Sequence, residues 1–365
     1  MPNQQEYGPR KYINLGVSRL WRPNLMRLHT HWRDGTLVFC LGAGVSIPYG
    51  LPNWNGLVLS LLARLDSFGD TRGRERVDGW HAYYPQYRRA LGEWMMDHFK
   101  FEPVKLARVF AYDEQLKTKI RRELYAPLAP PAPGCPGRTS LDAVAALIAE
   151  GQRDGNPIPA VITLNYDDLL EMKLREAEIL CTSVFDRNPK VEGIPIYHVH
   201  GFLPRDGVIP DQDLVFTESD YHEISSSGFH WSVKTMMRYL HTHNVLFVGV
   251  SMNDPNLRRF LDNAHAFRQE RRHLAIREDY HIPDDKLEPA MEEIERKALR
   301  FGQEIGRNET KKLEQLRDAI RDVCGKAHDY DKKTLNSLGV RPIWVRDNAD
   351  ICRVLDVVRT GVPDE

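Results

Sequence analysis

The sequence predicts an α/β protein, a parallel sheet with helices on both of its faces. Three observations predict it. Short apolar runs rich in β-branched and aromatic residues recur along the chain, long helical stretches separate them, and polar motifs follow several of their carboxyl ends. Runs with few alternating polar positions are strands covered on both faces, as parallel sheets require. Strand and helix in alternation then give a doubly wound, Rossmann-like order.

The first strand is 37–41 (LVFCL), and an amphipathic helix is expected over 57–68. The long interval that follows holds a helical insertion, about 70–140, with Trp80, Tyr83, Tyr84, Tyr87, Trp94, Phe99 and Phe101. These aromatics are not interleaved with a basic run, so they read as insertion core rather than a platform for stacked bases. The insertion ends in a Pro/Gly-rich loop, 126–137 (APLAPPAPGCPG), which cannot continue a helix. A helix over 141–150 leads to the second strand, 160–164 (AVITL), and the third is 195–199 (PIYHV). A helix over 232–243 precedes the strand 245–250 (VLFVGV). A charged helical segment, about 286–328, comes before the last strand, 341–345 (RPIWV), and a helix over 349–359 closes the sheet.

Composition narrows the function. In 365 residues, 42% apolar and 28% charged, Lys plus Arg number 50 and Asp plus Glu 51. A domain that neutralises phosphates is normally basic, so nucleic acid is not expected as the main ligand. No apolar run approaches the roughly 18–20 residues of a membrane span. The first ten residues lack the apolar core of a signal peptide. Cys40, Cys135, Cys181, Cys324 and Cys352 lie far apart with no C-x-x-C pair, so reduced thiols in a cytoplasmic protein are expected.

The chemistry lies at the strand ends. The first strand runs into Gly42-Ala43-Gly44-Val45-Ser46, a turn whose glycines let backbone approach a pyrophosphate. It departs from the full G-x-G-x-x-G fingerprint, because Ile47 holds the third glycine position. Gly50-Leu51-Pro52-Asn53-Trp54 follows as a loop over that turn. The second strand ends in Thr163-Leu164-Asn165-Tyr166-Asp167 and the third in His198-Val199-His200-Gly201. The strand 245–250 ends in Gly249-Val250-Ser251 and continues through Asn253-Asp254-Pro255. The carboxyl edge of an open α/β sheet is where ligands bind. Plain structural readings stand beside these. Asn165 is also placed to cap the helix that follows, and Asp254 before Pro255 suits an N-cap. His200 also fits a satisfied strand-end histidine, whereas His198, read as lying on the same strand face, is expected to be supportive. The H-x-H pair could suggest a metal, but no third ligand has useful spacing, so none is expected.

Taken in order, GAGVS, GLPNW, TLNYD, HVHG and GVSMNDPNLR resemble the sirtuin superfamily, and its divergent bacterial branch more than its protein deacylases. The resemblance implies an NAD-binding turn at Gly42, Ala43, Gly44 and Ser46. It places the active-site asparagine at Asn165 with Asp167 as its companion, the His-Gly histidine at His200, and a ribose- or phosphate-contacting turn at Gly249 and Ser251. Asn53 stands where the family has Asp, and Asp254 joins the cofactor-binding set with either role open. The deacylases' two C-x-x-C zinc pairs are missing, which removes part of the frame for an acyl-lysine peptide.

The resemblance therefore implies an N-terminal segment, 1–30, before one NAD-binding catalytic domain, 31–365. That domain would be an NAD glycohydrolase releasing nicotinamide and ADP-ribose, with NAD as substrate and no metal. It would act in bacterial antiphage defence by depleting NAD. Self-assembly into an oligomer, or a partner such as a HerA-type ring ATPase, would restrain it. A protein deacylase or ADP-ribosyltransferase, and a non-catalytic NAD sensor, are the competing expectations.

Overall fold

The computed structural model describes residues 22–63, 107, 110, 113–128 and 138–361, apart from 188, 227, 229, 269–272, 281, 283 and 301–308. Its centre is a seven-stranded sheet in the order β3-β4-β2-β1-β5-β6-β7. The strands are β1 (Leu37–Leu41), β2 (Val161–Thr163), β3 (Cys181–Val184), β4 (Ile194–His198), β5 (Asn244–Val248), β6 (His273–Glu278) and β7 (Val340–Val345). Every pairing is parallel.

The pleat explains why β1 is apolar at every position. Leu37, Phe39 and Leu41 enter one core, while Val38 and Cys40 enter the other. The first core is closed by α1 (Arg22–Arg33), α2 (Trp54–Ala63), α4 (Ser140–Arg153), α5 (Leu169–Glu176) and α11 (Asn348–Thr360). The second is closed by α7 (Trp231–Thr242), α8 (Pro255–Arg268) and the end of α10 (Glu309–Ser337), with Ile224 of α6 (Glu218–Ser226). Helices α3 (Leu116–Tyr125) and α9 (Asp284–Arg300) complete the described elements.

The expected strands and helices are present within a few residues of their sequence bounds, except that the helix expected over 57–68 is described only as far as Ala63, and two strands join them. β3 is an edge strand with one buried position in four, so it lacks a continuous apolar run. β6 reads HLAIRE, with polar residues at both ends that hide a core of three apolar residues. The charged segment resolves into two helices, α9 and α10, joined through a small core of Leu287, Met291 and Ile320. Helix α1 crosses the expected boundary at residue 30, and the His29 ring contacts the Val358 carbonyl of α11 at 2.7 Å. Of the insertion, α3 is described and packs on α2. The aromatics Trp80 to Phe101 and most of the Pro/Gly-rich loop lie outside the described residues. No described helix is long and apolar enough to cross a membrane. Cys40, Cys181, Cys324 and Cys352 form no disulfide among the described residues, and Cys135 lies outside them.

Candidate functional site

β1 and β5 are neighbours although three strands lie between them in the chain order, so the connections diverge to either side between them. Such a switch point opens a crevice at the carboxyl edge. The glycine turn sits there, as two short 3-10 turns (Ala43–Val45 and Ile47–Tyr49) rather than one helix. Gly42 N donates to Val248 O at 3.1 Å and Gly44 N to Gly249 O at 3.0 Å. The glycines therefore serve first to let the two strand ends touch. A Cβ on Gly42 would stand 2.6 Å from Gly249 O, and one on Gly44 2.7 Å from Gly249 Cα.

Asn165 projects from the end of β2 into this turn. Its Nδ2 donates to Gly42 O at 3.1 Å and to Ser46 Oγ at 3.2 Å. A carbonyl such as Gly42 O can only accept, which fixes the nitrogen side of the carboxamide. With both amide hydrogens committed, Oδ1 is the atom left to a ligand, and it is an acceptor. Helix α5 begins at Leu169 with Asp168 at its N-cap, so the capping role weighed for Asn165 is not the one it takes. Ser46, 3% exposed, continues the chain by donating to Asp167 Oδ2 at 2.9 Å. It lies inside the network that holds Asn165 rather than on the crevice wall.

Asp167 is buried, and its other oxygen accepts from Leu169 N at 3.2 Å. Burial raises its pKa from 3.8 to about 6, against the hydrogen bond from Ser46 that lowers it. The native state thus holds this proton more tightly than the unfolded chain. Stability from the protonated group is complete below about pH 4 and is lost as pH rises through about 6. A shift of this size is roughly 3 kcal/mol. Asp167→Asn is expected to flatten that part of the stability–pH curve. Urea unfolding of both proteins between about pH 4 and about pH 7 reads it; parallel curves would sink the assignment.

His200 lies beyond the end of β4, where the chain turns through Gly201 at φ +106°. The turn sends the two histidines to opposite sides of the sheet, which corrects the expected shared face. His198 packs with Phe202 and Glu171, whereas His200 meets Tyr221 edge-on at 5.5 Å. His200 Nε2 is 3.8 Å from Asp254 Oδ2. Burial pulls its pKa below 6.5, opposed by Asp254 and by a hydrogen bond to the Leu164 main chain. The imidazole is neutral at neutral pH and able to take a proton. A small cleft lies against it, lined also by Leu164, Asp254, Asn256, Met236 and Phe260.

Asp254 fills both roles left open for it. Oδ1 accepts from Leu257 N at 2.8 Å, capping α8, while the carboxylate faces His200 and hydrogen-bonds Tyr221. Asn53 is exposed, and its Oδ1 caps α2 through Gly56 N at 2.8 Å, which leaves it apart from the Asn165 network. Ser251 is exposed, and Ala43 and Gly44 are half-buried along the crevice. Among the described residues no group of acidic, histidine or cysteine side chains could hold a metal ion.

Sequence reasoning missed Tyr221, Glu171 and Arg277. Arg277, next to last in β6, donates from Nη1 to the carbonyls of Ser251 at 3.0 Å and Val250 at 3.3 Å. Its Nη2 pairs with Asp331 of α10 at 3.2 Å. It clamps a turn whose Met252 adopts φ +61°, a conformation that side chains disfavour. Arg277→Gln is expected to cost about 1–2 kcal/mol of unfolding free energy, since charge-assisted bonds to two carbonyls are lost. Asp331→Asn should cost less because the carbonyl bonds remain; the reverse order in urea unfolding would contradict the clamp.

Comparison with known proteins finds a likeness over part of the chain. A family model described as "SIR2-like domain" matches residues 159–301, which include the ends of β2, β4 and β5. The chain is 34% identical over 113 residues to the NAD(+) hydrolase ThsA of Enterococcus faecium, covering 29% of this chain and 22% of that protein. It is 30% identical over 141 residues to the NAD(+) hydrolase ThsA of Acinetobacter baumannii (strain 532279), covering 35% of this chain and 28% of that protein. The alignments thus span between a fifth and a third of the length of these relatives. The segment similar to the SIR2-like domain thus contains Asn165, His200 and Gly249, each at or just beyond a strand end.

Proposed function

We propose that the chain is an NAD glycohydrolase that breaks the bond between the nicotinamide nitrogen and the ribose anomeric carbon. The observation that carries this reading is the Asn165 carboxamide, pinned through both amide hydrogens so that only an acceptor oxygen faces a ligand. The names of the two relatives support the choice of cofactor.

The reaction passes through an oxocarbenium-like state. Positive charge builds on the anomeric carbon while the pyridinium becomes neutral nicotinamide. An acceptor such as Asn165 Oδ1 suits that moment, since it can orient water or a ribose hydroxyl and lie against developing positive charge. Water oxygen bonds to the anomeric carbon as the bond to nicotinamide breaks. The water's second proton passes to neutral His200, and Asp254 stabilises the resulting imidazolium. The glycine turn and the Gly249–Asp254 segment would hold the diphosphate and ribose.

The same reading has the protein act in the cytoplasm in bacterial antiphage defence by depleting NAD. An oligomer, or a HerA-type ring ATPase docked on the α9–α10 pair, would hold it in check. Purified protein incubated with NAD, with products separated by chromatography, tests the core of the reading. Nicotinamide and ADP-ribose in equal amounts support hydrolysis. Nicotinamide released only with an acetyl-lysine peptide would place the chain among deacylases, and tight binding without products would make it a sensor.

A further inference from the structure

His198 is the histidine of HVHG that the proposed mechanism does not use. It is fully buried at the end of β4, in register with Thr163 of β2, and shares its strand face with Ile194 and Ile196. Its Nδ1 lies 3.2 Å from the Asn165 carbonyl oxygen and its Nε2 2.7 Å from Glu171 Oε1. A backbone carbonyl has no hydrogen to give, and a carboxylate has none either. A neutral imidazole carries one N–H and one bare nitrogen, so it would leave one of the two contacts as lone pair against lone pair. The imidazolium satisfies both.

The surroundings agree. Glu171, on α5, is buried, and Ser183 of β3 donates to the same Oε1 at 2.8 Å. Its Oε2 has no hydrogen-bond partner among the described residues, so the charge of Glu171 is compensated by the ring beside it. Asp167, in the loop before α5, is the second acidic group acting on His198, and Cys181 of β3 faces Glu171. The Phe202 ring covers the imidazole at 4.5 Å. Burial pulls the His198 pKa down, but Glu171, the Asn165 carbonyl and Asp167 together carry it above 6.5.

We propose that Glu171 holds His198 as a buried imidazolium, and that this pair positions Asn165 by fixing its backbone carbonyl. The catalytic consequence rests on the glycohydrolase reading; the protonation state and the positioning do not. His198 touches no ligand atom in this scheme and is a positioning residue. It grips the main chain of Asn165, whose carboxamide Gly42 and Ser46 grip from the other end.

The first test is nitrogen NMR of histidine-labelled protein, with His198→Gln identifying the resonances. Both ring nitrogens should carry protons and hold imidazolium shifts from about pH 5 to about pH 8. One bare ring nitrogen near neutrality would overturn the proposal, since it would mean a neutral ring, with Glu171 carrying the proton between them. The second test is Glu171→Gln, which keeps the side-chain shape. Its amide can donate to Nε2, so the ring should become neutral while Nδ1–H still reaches Asn165. The imidazolium signals should vanish with the melting transition still cooperative; their persistence would overturn the role given to Glu171.

Positioning is read on the Asn165 side-chain amide resonances, which need no turnover. They should broaden or shift in His198→Leu and move back in His198→Gln, whose amide can donate to the same carbonyl. If NAD is cleaved, His198→Leu should lose about tenfold or more in kcat with KM little changed, and His198→Gln should recover part of it. Unmoved Asn165 resonances in both variants would sink the positioning role. If wild type cleaves no NAD, the glycohydrolase reading fails while the NMR results still decide this proposal.

Discussion

If the chain cleaves NAD as proposed, Asn165→Ala is expected to lower kcat by about a hundred- to a thousandfold, the usual loss when a preorganised polar group at the reacting centre is removed. The fold should survive. The substitution deletes two hydrogen bonds, to Gly42 O and Ser46 Oγ, at about 1 kcal/mol net each. KM should change less than kcat, because an acceptor matters most when positive charge develops. On the same reading His200→Ala should lower kcat by about a hundredfold or more, through loss of the proposed general base. The pH profile separates the two. With the His200 pKa pulled down by burial, the acid limb of kcat/KM should fall below the ordinary histidine range. Asp254→Asn removes the charge that opposes burial, so it should move that limb to still lower pH. A limb that moves upward, or an Asn165→Ala enzyme with near-normal kcat, would show that the reacting centre lies elsewhere.

The sheet was legible because burial on both faces writes itself into the chain. LVFCL and VLFVGV have no polar residue, and the structure sends alternate side chains of β1 into two cores. β3 and β6 escaped because the rule that marks a central strand weakens at an edge or beside a functional end. Three of the four residues of β3 are half-exposed, and β6 ends on Arg277-Glu278, of which Arg277 clamps the 250–251 turn. Asn165 and His200 could be singled out from their place after apolar strands. Their partners could not. Glu171 sits one turn into a short helix of ordinary composition, and nothing in LLEMKLRE says that it faces a buried histidine. Ser46 was visible as a residue of the turn, but its inward orientation depends on the 3-10 geometry of that turn, which the sequence does not announce. The two histidines were misassigned to one face because the strand ends at His198, one turn before the second of them.

Gly249→Ala is expected to damage the fold severely, and for a reason that does not involve a ligand. Gly249 has φ +68°, and a Cβ there would lie 2.6 Å from Val45 N, 2.9 Å from Gly44 C and 3.0 Å from Gly44 Cα. All three are backbone atoms at the seam between β1 and β5, so no side chain can swing away. The left-handed conformation costs about 1–2 kcal/mol and the forced separation about 1–3 kcal/mol more. Against a typical total of about 5–15 kcal/mol, that is enough to leave much of the protein unfolded on warming. Gly207→Ala isolates the first contribution, because Gly207 has φ +83° with nothing within 4 Å of the added carbon. It should lose about 1–2 kcal/mol alone. Gly44→Ala, with Gly249 Cα 2.7 Å from the added carbon and no positive φ, isolates the second. If the strand-end seam is what these glycines serve, Gly249→Ala and Gly44→Ala will both fall well below wild type in thermal and urea unfolding without NAD present. If instead they exist for a diphosphate to approach, both variants will melt near wild type and differ only in the protection that added NAD confers.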